Sequence, residues 1–218
     1  MRAALRRRLL GMFAATPIAS GLSGCIGPGQ APAHLRYELD DPAPQAPPAG
    51  VEGAHAAAAA RAHTLLVEGI AAYAFLDSTA IAYSRSPGAR ASYQFASWTE
   101  RPAVRIARLL ERRLAATDVF ADVASATAPV RGDWLLELRL EQFYHDDQAP
   151  PGRVRIELVA GLVDRAARRT IARRRFAQGE PLADESAAQA VAAFGRALSR
   201  LLDEIQRWVL READRPGV

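Results

Sequence analysis

The sequence predicts an α+β domain: a mostly antiparallel sheet with two main helices packed on one of its faces. Two observations carry that reading. Trp134 to Phe143 and Arg153 to Asp164 alternate, with Trp134, Leu136, Leu138 and Leu140 on the even positions of the first and Val154, Ile156, Leu158, Ala160 and Leu162 on those of the second. Alternation of that kind belongs to strands with one face on a core and one toward water or a partner. The stretch from Ala183 to Ala213 repeats apolar residues at steps of three and four, through Val191, Phe194, Leu198, Leu201, Ile205 and Trp208. That is the stripe of an amphipathic helix.

The other elements follow in order. His34 to Leu39 reads as a short strand, and Thr64 to Ala71 as another. Ala80 to Ser84 and Ala91 to Ser97 flank a Pro87-Gly88 pair, which makes them a hairpin. Ser97 and Glu100 have the spacing of a capping box and Pro102 suits a first helical turn. A helix is therefore expected there, its apolar face formed by Val104, Ile106, Ala107, Leu109, Leu110 and Leu114. Val119 to Ala124 reads as a strand, and Thr170 to Ala177 as a more polar one, joined to its predecessor by a turn over Asp164 to Arg169.

The first 25 residues have a different character. Arginines stand at positions 2, 6, 7 and 8 with no acid before Cys25, and an apolar run from Leu9 to Ala15 follows. These are the charged and apolar regions of a secretory signal peptide. The run meets Leu22-Ser23-Gly24-Cys25, an aliphatic residue and two small ones before a cysteine, which is the pattern of a bacterial lipobox. The small residues fit the processing peptidase, and the thiol takes the lipid. Cys25 is the single cysteine of the chain, so no disulfide forms within it. Leu9 to Ile26 is only 18 residues and contains three glycines and a proline, at the short limit for a membrane span. Ile26, rather than an aspartate, follows the cysteine, which favours the outer membrane over the inner one.

Three segments are thus expected: a signal peptide over 1–24, a lipidated lead with a short strand and a Pro/Ala-rich tether over 25–62, and a folded domain over 63–213. Asp40 to Gly53 holds four prolines and no periodic apolar pattern, as an extended linker does. Without residues 1–24 the chain carries 24 basic and 24 acidic residues. It then lacks the basic excess that nucleic-acid binding uses. Every basic residue is arginine.

Several stretches together resemble a known family, the ABC-type transport auxiliary lipoproteins of PqiC type. Phe75-Leu76-Asp77 leading into Ala80-Ile81-Ala82-Tyr83 is similar to the family's Leu-Asp and aliphatic-x-Tyr strand. Tyr93 to Pro102, with Trp98, Glu100 and Pro102, resembles its most distinctive stretch, and Leu136 to Phe143 its late strand. Phe75 stands where the family usually has proline, and the insertion over 40–62 is a second departure. The resemblance implies a non-catalytic accessory of an envelope lipid-transport system. Its partners would be an MCE-domain protein with an ABC permease and ATPase, and it would self-associate at the outer membrane.

Among single residues, Tyr83, Tyr93 and Trp98 are candidates for a partner surface, since aromatic side chains dominate binding energy. Each equally suits the packed side of its strand. His145-Asp146-Asp147 before Pro150-Pro151-Gly152 reads as a solvated loop rather than a metal site, since adjacent residues do not easily converge on one ion and no second cluster supports them. The arginines at 165, 168, 169 and 173–175 read as a solvated hairpin, with phospholipid headgroups as their alternative partner. No phosphate-binding Gly-x4-Gly-Lys-Ser/Thr loop and no Gly-x-Ser-x-Gly elbow occurs. No enzyme activity, cofactor or metal is expected. A periplasmic hydrolase and another envelope lipoprotein, an assembly factor or a peptidoglycan-synthase activator, are the competing classes.

Overall fold

The computed structural model describes residues 32–42 and 63–215. Cys25, the lipobox residues Leu22, Ser23 and Gly24, and the Pro/Ala-rich stretch over 43–62 lie outside the described residues. The described residues from Ala33 form one compact unit.

Among the described residues are eight strands and two helices, with strands β1 (Leu35–Tyr37), β2 (Thr64–Ala71), β3 (Ala80–Ser84), β4 (Ala91–Trp98), β5 (Asp122–Ser125), β6 (Trp134–Asp146), β7 (Arg153–Asp164) and β8 (Arg169–Pro181). Helix α1 spans Pro102–Ala115 and α2 spans Ala187–Ala213. A 3₁₀ turn, Ala74–Leu76, links β2 to β3. The α+β class stands, but the sheet is mixed rather than mostly antiparallel. β3–β4, β6–β7 and β7–β8 are antiparallel. β1–β4, β2–β5, β2–β6 and β3–β6 are parallel. Alternation reports that one face is buried, and says nothing of the direction of the neighbouring strand.

The long strand β6 organises the sheet. β7 runs along one edge of it. On the other edge β2 pairs from Leu65 opposite Trp134 to Ala71 opposite Leu140, and β3 pairs only at Tyr83 opposite His145 and Ser84 opposite Asp146. The sheet forks there, with β5 outside β2 on one arm and β4 and β1 outside β3 on the other. Between the arms β6 carries a bulge at Glu141, where its register with β7 slips. Up to Leu140 the even residues enter the core. Past the bulge the odd ones do, beginning with Phe143.

Both helices cover this one face. α1 sits on β2 and β5, α2 on β7 and β8. Leu136, Leu138, Leu140, Ile156, Leu158 and Phe176 meet Ile106, Leu110 and Leu114 from α1 and Phe194, Leu198, Leu201 and Ile205 from α2 in one core. Gly69 lets α1 approach: a Cβ there would lie 2.0 Å from the Ala103 carbonyl oxygen. The expected capping box is absent. β4 continues to Trp98, whose N–H donates to Thr79 O at 2.7 Å, so Ser97 is still in the strand and its hydroxyl meets His34 Nε2 at 3.0 Å. Glu100 ion-pairs with Arg108. The helix begins after Arg101 with no side-chain cap, and Pro102 takes a first-turn position that needs no donor. Ser186 does cap α2, accepting from Gln189 N.

Candidate functional site

The far end of the β3 arm brings together more interacting side chains than the sequence indicated. Tyr83 and Tyr93 face each other across the hairpin, their rings edge to face at 5.4 Å. Both are half-buried. Arg85 lies over the Tyr83 ring at 5.0 Å, and its Nε donates to Asp147 Oδ2 at 2.8 Å.

Behind the tyrosines stands His145, 1% exposed. Its Nε2 is 2.9 Å from the Pro151 carbonyl oxygen and its Nδ1 is 2.8 Å from the Tyr93 hydroxyl. A carbonyl only accepts, so Nε2 carries the proton and Nδ1 accepts from Tyr93. Gly152 makes this possible. Its φ is +77°, and a Cβ there would sit 2.6 Å from His145 Nε2 and 2.3 Å from Asp146 O. The solvated loop expected at His145, Asp146 and Asp147 is therefore a buried strand end and its continuation. β3 and β7 cover both edges of His145 and Asp146. Arg155 reaches Asp146 at 2.6 Å and Arg85 reaches Asp147.

The three acidic and imidazole groups do not converge, because neighbours on a strand point to opposite faces. Among the described residues no group of three or more His, Cys, Asp or Glu side chains is placed to hold a metal. Burial pushes the Tyr93 hydroxyl up to about 12, with the Asp147 charge adding to it. At neutral pH Tyr93 therefore acts as a hydrogen-bond donor and not as a base. Burial works against the Asp146 carboxylate, yet the hydrogen bonds from Arg155 and Gln148 outweigh it and hold that group below its usual value. The arrangement fixes a presented aromatic surface.

Trp98 is not part of that surface. It is 1% exposed, packed edge to face against Phe143 and Phe194 at 5.8 and 5.5 Å. Packing, the other role open to it, is the one it takes. Its indole N–H has no acceptor among the described residues. Sequence reasoning put His145 and Asp147 in a solvated loop and gave Arg90 no role beyond a turn. The signal was present in the two residues, Glu141 and Gln142, that separate Leu140 from Phe143 where strict alternation allows one.

The arginine-rich hairpin is solvated as expected. Arg169 pairs with Asp164, Arg165 donates to Gly132 O, and Arg175 pairs with Glu141 and Glu157. Where β2 and β3 part, a cavity of about 570 Å³ opens beside the β6 bulge, with Tyr73, Phe75, Leu76, Arg90 and Tyr144 in its lining.

Residues 37–206 match the family model described as the ABC-type transport auxiliary lipoprotein component. The chain belongs to this family. The match runs from the end of β1 into the last turns of α2, so it includes both the hairpin and the fork. Members are lipoproteins and auxiliary components of ABC-type transport, as that description states. No curated protein matches the chain in sequence. Protein XCC0632 from Xanthomonas campestris has a similar fold, with a TM-score of 0.66 at 22% identity over 82% of this chain and 96% of that one. A second solved structure, of an uncharacterized protein, gives a TM-score of 0.56 at 16% identity over 67% and 92%. At these identities the likeness extends to the fold. No described helix is long and apolar enough to cross a membrane.

Proposed function

We propose that this chain is a non-catalytic outer-membrane lipoprotein, lipidated on Cys25, that docks an MCE-domain protein for an ABC-type intermembrane lipid transport system. The observation that carries the reading is the family match over residues 37–206. The Leu22-Ser23-Gly24-Cys25 motif and Ile26 support lipid attachment and the outer membrane. Tyr83 and Tyr93 form the docking surface. Their rings are half-exposed, and His145, Asp147 and Arg85 hold them from behind and beside. A surface fixed before contact loses less entropy on binding. Self-association is part of the proposal. Among the described residues β1 covers β4 only at Ala96, Ser97 and Trp98, and a strand edge open in this way readily accepts a further strand.

The test is purification of the full lipidated chain from membranes, with mass spectrometry of the proteins that accompany it. An MCE-domain protein is expected, and its recovery should fall in Tyr83→Ala. Peptidoglycan synthases or outer-membrane assembly proteins in its place would overturn the reading.

A further inference from the structure

The cavity at the fork has an unusual pairing of surfaces. Tyr73 and Phe75 stand out from the 3₁₀ turn at its rim, 63% and 44% exposed. Large apolar side chains exposed side by side mark a place of contact. In the same lining the Arg90 guanidinium lies 3.8 Å over the Tyr144 ring. Its Nη1 donates to Ser84 Oγ at 3.2 Å and to Ala89 O at 2.9 Å. No acid pairs with it among the described residues, and its Nε and Nη2 donors meet no protein acceptor there. The other cation at the cavity, Arg175, is already engaged by Glu141 and Glu157.

A guanidinium clamped by stacking and two hydrogen bonds, with its remaining donors open, is set to receive the paired oxygens of a phosphate. The neighbouring aromatic rim calls for an apolar portion in the same ligand, so the occupant is an amphiphile. The volume suits one molecule. The family consists of lipoproteins, so the domain works beside a membrane, where the phosphate-bearing amphiphile within reach is membrane lipid.

We infer that this cavity binds the headgroup of a phospholipid, with Arg90 on the phosphate and Tyr73 and Phe75 against the glycerol and the first acyl carbons. The inference goes beyond docking and does not depend on which protein the chain accompanies. It gives the domain a lipid contact of its own, on the fork rather than on the Tyr83–Tyr93 surface.

Calorimetric titration of the full chain in detergent with dihexanoyl phosphatidylglycerol tests it. Dihexanoylglycerol and inorganic phosphate serve as the headless and tailless comparators. Saturable binding of the phosphatidylglycerol is expected, with both comparators weaker by about tenfold or more. Arg90→Gln and Phe75→Ser should each weaken it by a similar factor, and Arg168→Gln, in the distant β7–β8 turn, should leave it unchanged. Phe75→Ser keeps the test decisive if Arg90→Gln misfolds. Inorganic phosphate binding as tightly as the lipid would make this an anion site and overturn the assignment. Absence of saturable binding, or equal affinity in Arg90→Gln and Arg168→Gln, would overturn it as well. The accompanying proteins are read in a separate experiment, so either result can fail alone.

Discussion

Tyr93 and His145 fix each other's protons. The imidazole is buried with Nε2–H given to Pro151, so Nδ1 depends on the Tyr93 hydroxyl. Tyr93→Phe leaves that acceptor buried and unpaired, which costs about 1–3 kcal/mol and should show as a lower midpoint in urea unfolding. The same hydroxyl sets an alkaline signature. Its value is raised by burial to about 12, from about 10 in an unfolded chain. Between those values the unfolded chain has released a proton that the folded chain keeps. Stability is therefore level in this respect up to about pH 10 and falls from there to about pH 12. In Tyr93→Phe that fall should be shallower. Tyr93 itself was legible from its strand position, but its partner was not. His145 points at the core only because the bulge at Glu141 reverses the parity of β6. Counting on from Trp134 puts residue 145 on the opposite face.

At the scale of elements the sequence was most legible where one element settles its own pattern. The first part of β6, the strand β7 and the stripe of α2 follow directly from periodicity. The helix start at Pro102 was legible, but its cap was not, because Trp98 and Thr99 are held in the sheet by Thr79 and Tyr37. The segment after β1 was also opaque, since nothing periodic marks it. There Leu39 enters the core, Arg105 donates to Leu39 O at 2.8 Å, and the Asp41 carboxylate takes two bonds from Arg113, at 2.6 and 2.7 Å. Asp203 and Ser199 of α2 complete the surroundings of Arg113. This strap binds the start of the domain to both helices through one buried guanidinium. Asp41→Asn should cost about 3 kcal/mol in denaturant unfolding, since it weakens the pairing of a buried charge. Arg113→Met combined with Asp41→Leu should recover much of that loss, because half-exposed Asp203 can turn to water. If the double variant is no more stable than Asp41→Asn, the strap is held by shape and not by charge.

The direction of the strands belongs to the whole molecule, and it is where the sequence was least informative. β2 and β3 come to lie parallel to β6 because the hairpin, α1 and β5 all intervene before the chain returns. No local pattern encodes that crossover. The consequence for function lies in where the chain enters. Leu35 lies ten residue steps after Cys25, so even fully extended the chain between them reaches at most about 35 Å. If Cys25 carries the lipid, the start of β1 stays within that distance of the bilayer, and the pull of the anchor falls on the end of the domain that the Asp41–Arg113 pair ties down. Anchoring and folding should then separate cleanly. Acyl chains hold a protein by about 0.8 kcal/mol per buried methylene, and none of that enters the core. A chain in which residues 1–25 are replaced by a cleavable signal peptide with no lipobox should therefore unfold at the same temperature as the parent in a thermal melt, yet leave the membrane pellet for the soluble fraction. A variant that stays with the pellet while still melting normally would show that the domain reaches the membrane by another contact, and would remove Cys25 as the anchor.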